Sequence, residues 1–466
     1  MRAESVTLQL GPLTRWFAHL AVLLQRSDVS RALVKGAVWS IGCNVTGAAA
    51  SFITQVILAR SLQATRYGVY SYLLAWVNVA VLFGKLEFDA AAVRFIGAYD
   101  GQRRDGLVHG FLRYGWKVVA GTATGVALIA ALTAWLLRAH LPAETGGGIW
   151  AAGVLVPLSA LLLFSGSALQ GFRRVPQAQL PQLLLRPVLF GVGIVLAGPV
   201  FGFELGAGGA VAINATATAL ALGVSLSLLA RATAARAKAA APMLATAHWM
   251  GAVRGFMVIA AAQLVLSHQV DVLVVGSLLG PRDAGLYSAA SQLSTLVSFG
   301  AAAIIFVVLP VVSNLHTQRQ RAELQRLVAR TVQVCVAVSV PVVVLLLVAG
   351  HIVLRAYGHG FVDAYPVLSV LSSEQLLGAT IGIIAGYLLT MTGHEWEASR
   401  VIVGTALLNL LLTFVLTPAF GAVGAAVATL GAQFVRVGLL CWYVQRCLGV
   451  MVLPRRSRRT AMAGGA

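Results

Sequence analysis

The sequence predicts an all-α polytopic membrane protein of about 12 transmembrane helices in two parallel six-helix repeats, on three observations. The first is composition: 59% of residues are hydrophobic and 11% charged, with a mean hydropathy of +0.85. A water-soluble domain carries about a quarter charged residues, so a soluble fold is excluded. The second is the shape of the apolar runs. They are continuous, not alternating, and each is near the roughly 20 residues that span a bilayer as a helix. In hydrocarbon only helices and closed barrels satisfy their own backbone, and the absence of alternation selects helices. The third is an internal repeat. Gly68-Val-Tyr70-Ser71 matches Gly285-Leu-Tyr287-Ser288 at an offset of 217 positions, Arg113 and Arg330 fall at the same offset, and Gly206-Ala-Gly-Gly209-Ala resembles Gly421-Ala-Val-Gly424-Ala at 215. Three matches in order at nearly constant spacing point to duplication.

The spans fall at 33–58, 68–93, 113–137, 149–170, 177–199 and 207–230, then at 252–279, 285–312, 328–354, 364–391, 398–418 and 421–446. The expected organisation is a cytoplasmic arm (1–32), an N-lobe of six helices (33–231), a cytoplasmic linker (232–250), a C-lobe of six helices (251–447) and a basic tail (448–466). An even number of spans per half puts both copies the same way up. Of the 34 Lys and Arg, only Arg60, Arg66, Arg138, Arg282 and Arg355 fall in connections on one side. Most of the rest lie on the side of the termini, so both termini are placed in the cytoplasm. The net charge of +19 is then a topology signal and an attraction to anionic membrane lipids. Basic residues spread over many loops argue against nucleic acid. Cys43, Cys335, Cys441 and Cys447 lack metal-ligand spacing and read as small apolar side chains.

Along the chain, 13–26 is apolar but short and lacks a small-residue cleavage site. An interfacial helix and a loosely ordered tail both fit it. The first span opens with Arg31 and Lys35; its Asn44, Ser51 and Gln55 share one helical face, expected to point inward. In the second span Lys85 stands roughly 14 Å from the cytoplasmic end. Lys85 and Asp89, at i and i+4, can pair, whereas Glu87 points elsewhere and needs its own partner. The cluster is either self-neutralised or part of a substrate pathway. Arg186 precedes Pro187, which frees a backbone carbonyl; the guanidinium either makes a local structural bond or faces a cavity and takes an anion. The basic, low-complexity stretch 231–242 reads as the linker between repeats. The seventh span brings Arg254, Gln263, His268, Gln269 and Asp271. His268 is a structural hydrogen-bonded group or, with Asp271 one turn on, part of a proton- or sodium-linked site. The tenth span carries Glu374-Gln375, and the twelfth Gln433 and Arg436.

No nucleotide loop, HExxH helix or nucleophile elbow is present in the sequence, and the outer connections are too short for a catalytic domain. Neither an enzyme nor a metal site is expected.

Several stretches together resemble the polysaccharide biosynthesis and O-antigen flippases of the multidrug/oligosaccharidyl-lipid/polysaccharide exporter superfamily. They are Leu58-Ala-Arg-Ser-Leu-Gln-Ala-Thr-Arg-Tyr-Gly-Val-Tyr70, Ala91-Ala-Val-Arg-Phe-Ile96, Asp271-Val-Leu-Val-Val-Gly276, Ala284-Gly-Leu-Tyr-Ser-Ala-Ala290, Leu388-Leu-Thr-Met-Thr-Gly-His394, Leu408-Asn-Leu410 and Pro418-Ala-Phe-Gly-Ala-Val-Gly-Ala-Ala426. The resemblance implies two six-helix lobes around a cavity that opens alternately to each side. It also implies translocation of a polyprenyl-pyrophosphate-linked oligosaccharide, an O-antigen or exopolysaccharide repeat unit for lipopolysaccharide, across a bacterial inner membrane. Lys85, Arg186, Arg254 and Arg436 are the candidate cationic lining for the pyrophosphate, with Arg31 and Lys35 at the cytoplasmic mouth. Glu87, Asp89, Asp271, Glu374 and His268 are the ion-coupling or charge-pair candidates. No cofactor is implied beyond H+ or Na+ coupling. Expected partners are the lipid-linked oligosaccharide and polymerase or glycosyltransferase machinery, with the chain itself a monomer. Lys85-Leu-Glu87 departs from the family pattern, which more often has small or apolar residues there. The alternative is a cation-coupled drug antiporter of the MATE type, whose cavity would be dominated by Glu87, Asp89, Asp271 and Glu374.

Overall fold

The continuous apolar runs become helices, and every regular element among the described residues is helical. The structure, a computed structural model, describes residues 28–136, 146–200, 202, 205–237, 241–318 and 320–452. The expected interfacial segment 13–26, Arg138 and the basic tail from 453 on lie outside these residues. Helix α1 is Asp28–Lys85, α2 Phe88–Gly101, α3 Asp105–Leu136, α4 Gly146–Gly171, α5 Val175–Gln179, α6 Arg186–Val195, α7 Ala207–Ala237, α8 Thr246–Val265 and α9 His268–Leu278. Then come α10 Pro281–Ser294, α11 Leu296–Thr317, α12 Arg321–Tyr357, α13 Tyr365–Leu377, α14 Ile383–Met391 and α15 Glu395–Leu448. Wider π-helical turns at Leu180–Leu185, Leu196–Val200 and Gly378–Gly382 sit between some of them. Among the described residues, nine helical stretches are long and apolar enough to cross a membrane.

Two of the long helices are broken once each. Within α15 the break is at Gly421 (φ 64, ψ −151), three residues after Pro418, where glycine alone adopts the backbone without strain. Within α1 it is at Gln63 (φ 60, ψ 174), a region nearly reserved for glycine that costs a side-chain-bearing residue about 1–3 kcal/mol. A third break ends α1: Leu86 and Glu87 are both left-handed, at φ 47 and 57. The seventh span is also interrupted, α8 ending before Ser267 and α9 restarting at His268. None of these interruptions except Gly421 carries a glycine or proline at the break itself.

Chain contacts divide the protein into two compact units, the first running to Ala289 and also taking Ile352–Ala364, the second taking Ala290–His351 and resuming at Tyr365. In the first unit α4 and α7 pack closely, and both carry buried alanines, Ala160 and Ala168 on one and Ala210, Ala217 and Ala221 on the other. Small residues let helix backbones approach where lipid gives no hydrophobic drive. Ser165 and Ser225 hydroxyls add a 2.8 Å hydrogen bond across that seam. A buried aromatic cluster joins Phe88, Phe95, Phe111, Phe164 and Trp249, and the Trp249 indole N–H donates to the Tyr99 hydroxyl at 3.0 Å. The stretch after the basic segment is docked: Met243 N–H donates to the Gly106 carbonyl at 2.8 Å, and Gly110 leaves room for the Met243 carbonyl. The short piece 352–364 joins this unit because Arg60 Nε donates to the Ala356 carbonyl at 2.6 Å, Arg282 pairs with Asp363 at 2.7 Å, and Phe361 meets Tyr67 edge-on.

In the second unit α13 and α14 pack on α15. Ser339 of α12 donates to the Val297 carbonyl at 3.0 Å. The Gln325 side chain and the Met451 backbone exchange two hydrogen bonds, 2.6 and 2.7 Å, which tie the chain after α15 to the start of α12. Across both units, large apolar side chains are exposed on long helices, such as Leu128, Ile129 and Leu132 of α3 and Val348 and Ile352 of α12. In a bilayer such faces meet acyl chains at no cost.

Candidate functional site

The two copies of the repeated motif meet. A Cβ on Gly68 would collide with the Pro281 carbonyl oxygen and reach Gly285 N at 3.0 Å, and one on Gly285 would stand 2.9 Å from Gly68 N. Helices α1 and α10 cross backbone to backbone there, which only glycines permit. Tyr70 and Tyr287, each two residues further on, are thereby buried at 1% and 0% exposure.

Around Tyr70 the partners are basic and neutral. The Asn214 amide of α7 donates to the Tyr70 hydroxyl at 3.0 Å. Its carbonyl oxygen accepts Arg186 Nε and Nη2 at 3.3 and 3.2 Å. A guanidinium only donates, so the amide oxygen must face it, and the nitrogen is left for the tyrosine. Phe190 stacks on Tyr70 at 6.0 Å. Arg186 opens α6 immediately after a π-helical turn, and the Thr54 hydroxyl donates to the Pro187 carbonyl at 3.0 Å. No carboxylate among the described residues lies within ion-pairing distance of Arg186. Its positive charge is therefore not compensated by an acid among the described residues, and two of its five N–H donors are spent on one neutral acceptor.

Around Tyr287 the chemistry is reversed. Its hydroxyl donates to Asp271 Oδ2 at 2.8 Å, and Asp271 is fully buried. His268 Nδ1 stands 3.6 Å from the same oxygen, near enough for attraction once protonated and too long for a hydrogen bond. The break before His268 sets both on the first turn of α9, where the helix dipole also favours the carboxylate. Beside them, Asn78 Nδ2 of α1 donates to Gln269 Oε1 at 3.1 Å.

The third cluster lies at the left-handed break after α1. Lys85 Nζ donates to both Asp89 oxygens at 2.8 Å, as the i, i+4 spacing requires, and also to Glu87 Oε1. The sequence expectation that Glu87 points elsewhere is corrected: two consecutive left-handed residues abolish the helical phase and swing its carboxylate back onto the lysine. Two carboxylates against one ammonium leave the cluster acidic when all three are ionised. The Thr122 hydroxyl donates to the Gly84 carbonyl just before the break at 2.5 Å.

Arg254 is exposed on α8. Arg31 and Lys35 belong to the α1 helix, but their side chains lie outside the described residues. In the second unit, Glu374 is buried one turn before the π-helical turn Gly378–Gly382. The absent side chain of Gly378 leaves space for Gln433 Nε2, and half-buried Arg436 is attracted to Glu374. Among the described residues no His, Cys, Asp or Glu group is arranged to hold a metal. Gln55 of the polar stripe accepts the Tyr67 hydroxyl at 3.3 Å, whereas Asn44 is exposed. Asn214, which orients Arg186, was missed in the sequence. An amide inside an apolar span was the signal available.

The family model described as polysaccharide biosynthesis protein matches residues 33–316, more than half of the chain. The probable low-salt glycan biosynthesis flippase Agl15 of Haloferax volcanii is 27% identical over 160 residues. That match takes in 34% of this chain and 34% of the relative, so the chain covers about a third of the curated relative's length. Among solved structures, an inward-facing MATE family multidrug resistance transporter of the MOP superfamily superposes with a TM-score of 0.68 at 14% identity, over 86% of this chain and 94% of that one. The lipid II flippase MurJ in its inward closed conformation superposes with a TM-score of 0.67 at 13% identity, over 88% and 87%. At such identities these likenesses establish the fold, which is that of MOP superfamily transporters.

Proposed function

Because the chain belongs to the polysaccharide biosynthesis protein family, we propose that it moves a lipid-linked glycan from one leaflet of a membrane to the other. The substrate is a polyprenyl-pyrophosphate-linked oligosaccharide such as an O-antigen or exopolysaccharide repeat unit, and the membrane is the bacterial inner membrane, with both termini in the cytoplasm. Twelve crossings in two lobes, 33–231 and 251–447, would alternate access to the two sides. The observation that carries the reading is Arg186: a guanidinium inside a membrane span, held by Asn214 and by no carboxylate among the described residues. Such a group is costly in a bilayer unless it has work to do, and its planar fork suits the oxygens of a diphosphate. Arg254 is kept as a further contact. Lys85 is kept with Glu87 and Asp89 as one charge-coupled group, and Asp271 with His268 as the second place where H+ or Na+ could couple.

The test is complementation in a host lacking its own flippase. Arg186→Ala made at the normal level should fail to display surface polysaccharide, and full display would remove Arg186 from the site. A second reading, a cation-coupled drug antiporter, has one observation in its favour: the Lys85–Glu87–Asp89 cluster carries more acid than base. It predicts that overproduction confers resistance to cationic dyes and that Glu87→Gln abolishes that resistance.

A further inference from the structure

Apart from these clusters, the first unit holds a cavity of about 1070 Å³ at the break in α1, at the upper end of the size range of small-molecule sites. It is bounded by 59–66, by Gly198, Gly202 and Leu205 after the fifth span, and by the turn 357–361. Its polar lining includes Arg60, Gln63, Thr65, Arg66, Tyr357 and His359, and no carboxylate among the described residues lines it. The nearby acid on the same turn, Asp363, is already taken by Arg282. Arg60 spends only Nε, on the Ala356 carbonyl, which fixes the guanidinium while leaving both amino groups to donate. Arg66 and His359 are exposed and have no hydrogen-bond or ion-pair partner among the described residues. Tyr357 is fully buried, and its hydroxyl has no hydrogen-bond partner among them.

We infer that this cavity is a second binding site, for a diphosphate group, on the face opposite the termini. The inference rests on the flippase reading and deepens it: the site would receive the lipid diphosphate head after translocation, before it leaves. Two guanidiniums and a histidine, with no acidic partner among the described residues, favour an anion over a cation. Paired amino groups on Arg60 and Arg66 offer the bidentate geometry that phosphoryl oxygens take. The donor-rich wall leaves volume for the first sugar as well as the diphosphate.

The test places a cysteine at Gln63, and separately at Thr65, in a full-length chain whose four native cysteines are replaced by alanine. A membrane-impermeant maleimide is applied to intact cells and then to the purified protein in phosphatidylcholine vesicles. Both cysteines should label from outside the cell. Inorganic pyrophosphate at several times its dissociation constant should slow labelling about fivefold by mass action. Vesicles containing undecaprenyl diphosphate should protect similarly, and vesicles containing phosphatidylglycerol should not. Arg60→Gln with Arg66→Gln should abolish protection while labelling continues. Unslowed labelling in pyrophosphate, equal protection by phosphatidylglycerol, protection that survives the double substitution, or labelling only in inside-out vesicles would each overturn the assignment. The readout needs no transport. Protection that persists while the parent chain fails to restore surface polysaccharide in a host lacking its own flippase would therefore sink the flippase reading alone, whereas lost protection beside a parent chain that restores display would sink only this site.

Discussion

Tyr70 and Tyr287 hold matching places in two copies of one short motif, and both are buried, yet they face opposite charges. The hydroxyl of Tyr70 receives a hydrogen from Asn214, whose other end holds Arg186. The hydroxyl of Tyr287 gives its hydrogen to Asp271. The shared part is backbone: the glycines two residues earlier must stay bare for α1 and α10 to cross. The divergent part is the polar partner each tyrosine meets on a neighbouring helix. A common scaffold thus carries a cationic site in one copy and an anionic one in the other. Substrate attraction and ion coupling can then be assigned to different copies and broken separately.

The largest effect should come from attacking what the copies share. Gly285→Val drives a branched side chain into the Ala64 carbonyl and Gly68 backbone, and neither can yield without separating the helices. We expect a loss of several kcal/mol, as for severe overpacking against backbone, seen as failure to recover monodisperse protein in detergent. Gly223→Ala, with open space around it, is the control that should be recovered normally.

Next in size is Asn214→Asp. It keeps the shape, turns the Tyr70 hydrogen bond round so that the hydroxyl donates, and gives Arg186 a carboxylate. If the cationic copy acts by its uncompensated charge, glycan translocation should fall at least about tenfold, the equivalent of roughly 1.4 kcal/mol of anion attraction, while protein yield holds. Asn214→Leu should lower yield as well, because it strands the guanidinium. Translocation unchanged in Asn214→Asp would mean that Arg186 is a structural bond only.

In the anionic copy, Asp271→Asn retains an oxygen to accept from Tyr287 and removes only the charge. The expected result is a protein that still moves glycan in a downhill assay, a few-fold slower, and no longer responds to collapse of the proton or sodium gradient. A variant that keeps its gradient response would place coupling elsewhere, with the Lys85–Glu87–Asp89 cluster next in line.

Much of this contrast was legible in the sequence, and the part that was not has a physical reason. Continuous apolar runs fix helices because hydrocarbon offers the backbone no other partner. The Lys85–Asp89 pair follows from i, i+4 spacing, and both are joined at 2.8 Å. Glu87 was misplaced because that same rule presumes an unbroken helix, and the break at Leu86 and Glu87 has neither glycine nor proline to announce it. Gln63 is hidden for the same reason. Asn214 escaped notice because its role depends on a contact 28 residues away in sequence with Arg186 and 144 away with Tyr70, which helical periodicity does not encode.

The finest test of the comparison removes a single oxygen from each copy. In Tyr287→Phe a buried carboxylate loses a donor, and hydrogen bonds to charged groups contribute about 1.5–3 kcal/mol. In Tyr70→Phe an amide loses a neutral acceptor, a change of about 0.5–1.5 kcal/mol. Denaturation of the purified variants in detergent should therefore rank Tyr287→Phe below Tyr70→Phe, with both below the parent. The order matters more than either value, because the two substitutions are chemically identical and the sites are equally buried. Only the sign of the neighbouring charge separates them. If Tyr70→Phe proves the more damaging, the Tyr70 hydroxyl must itself be donating to an anion, and the cationic copy would have to contain an acid that the geometry around Arg186 does not show.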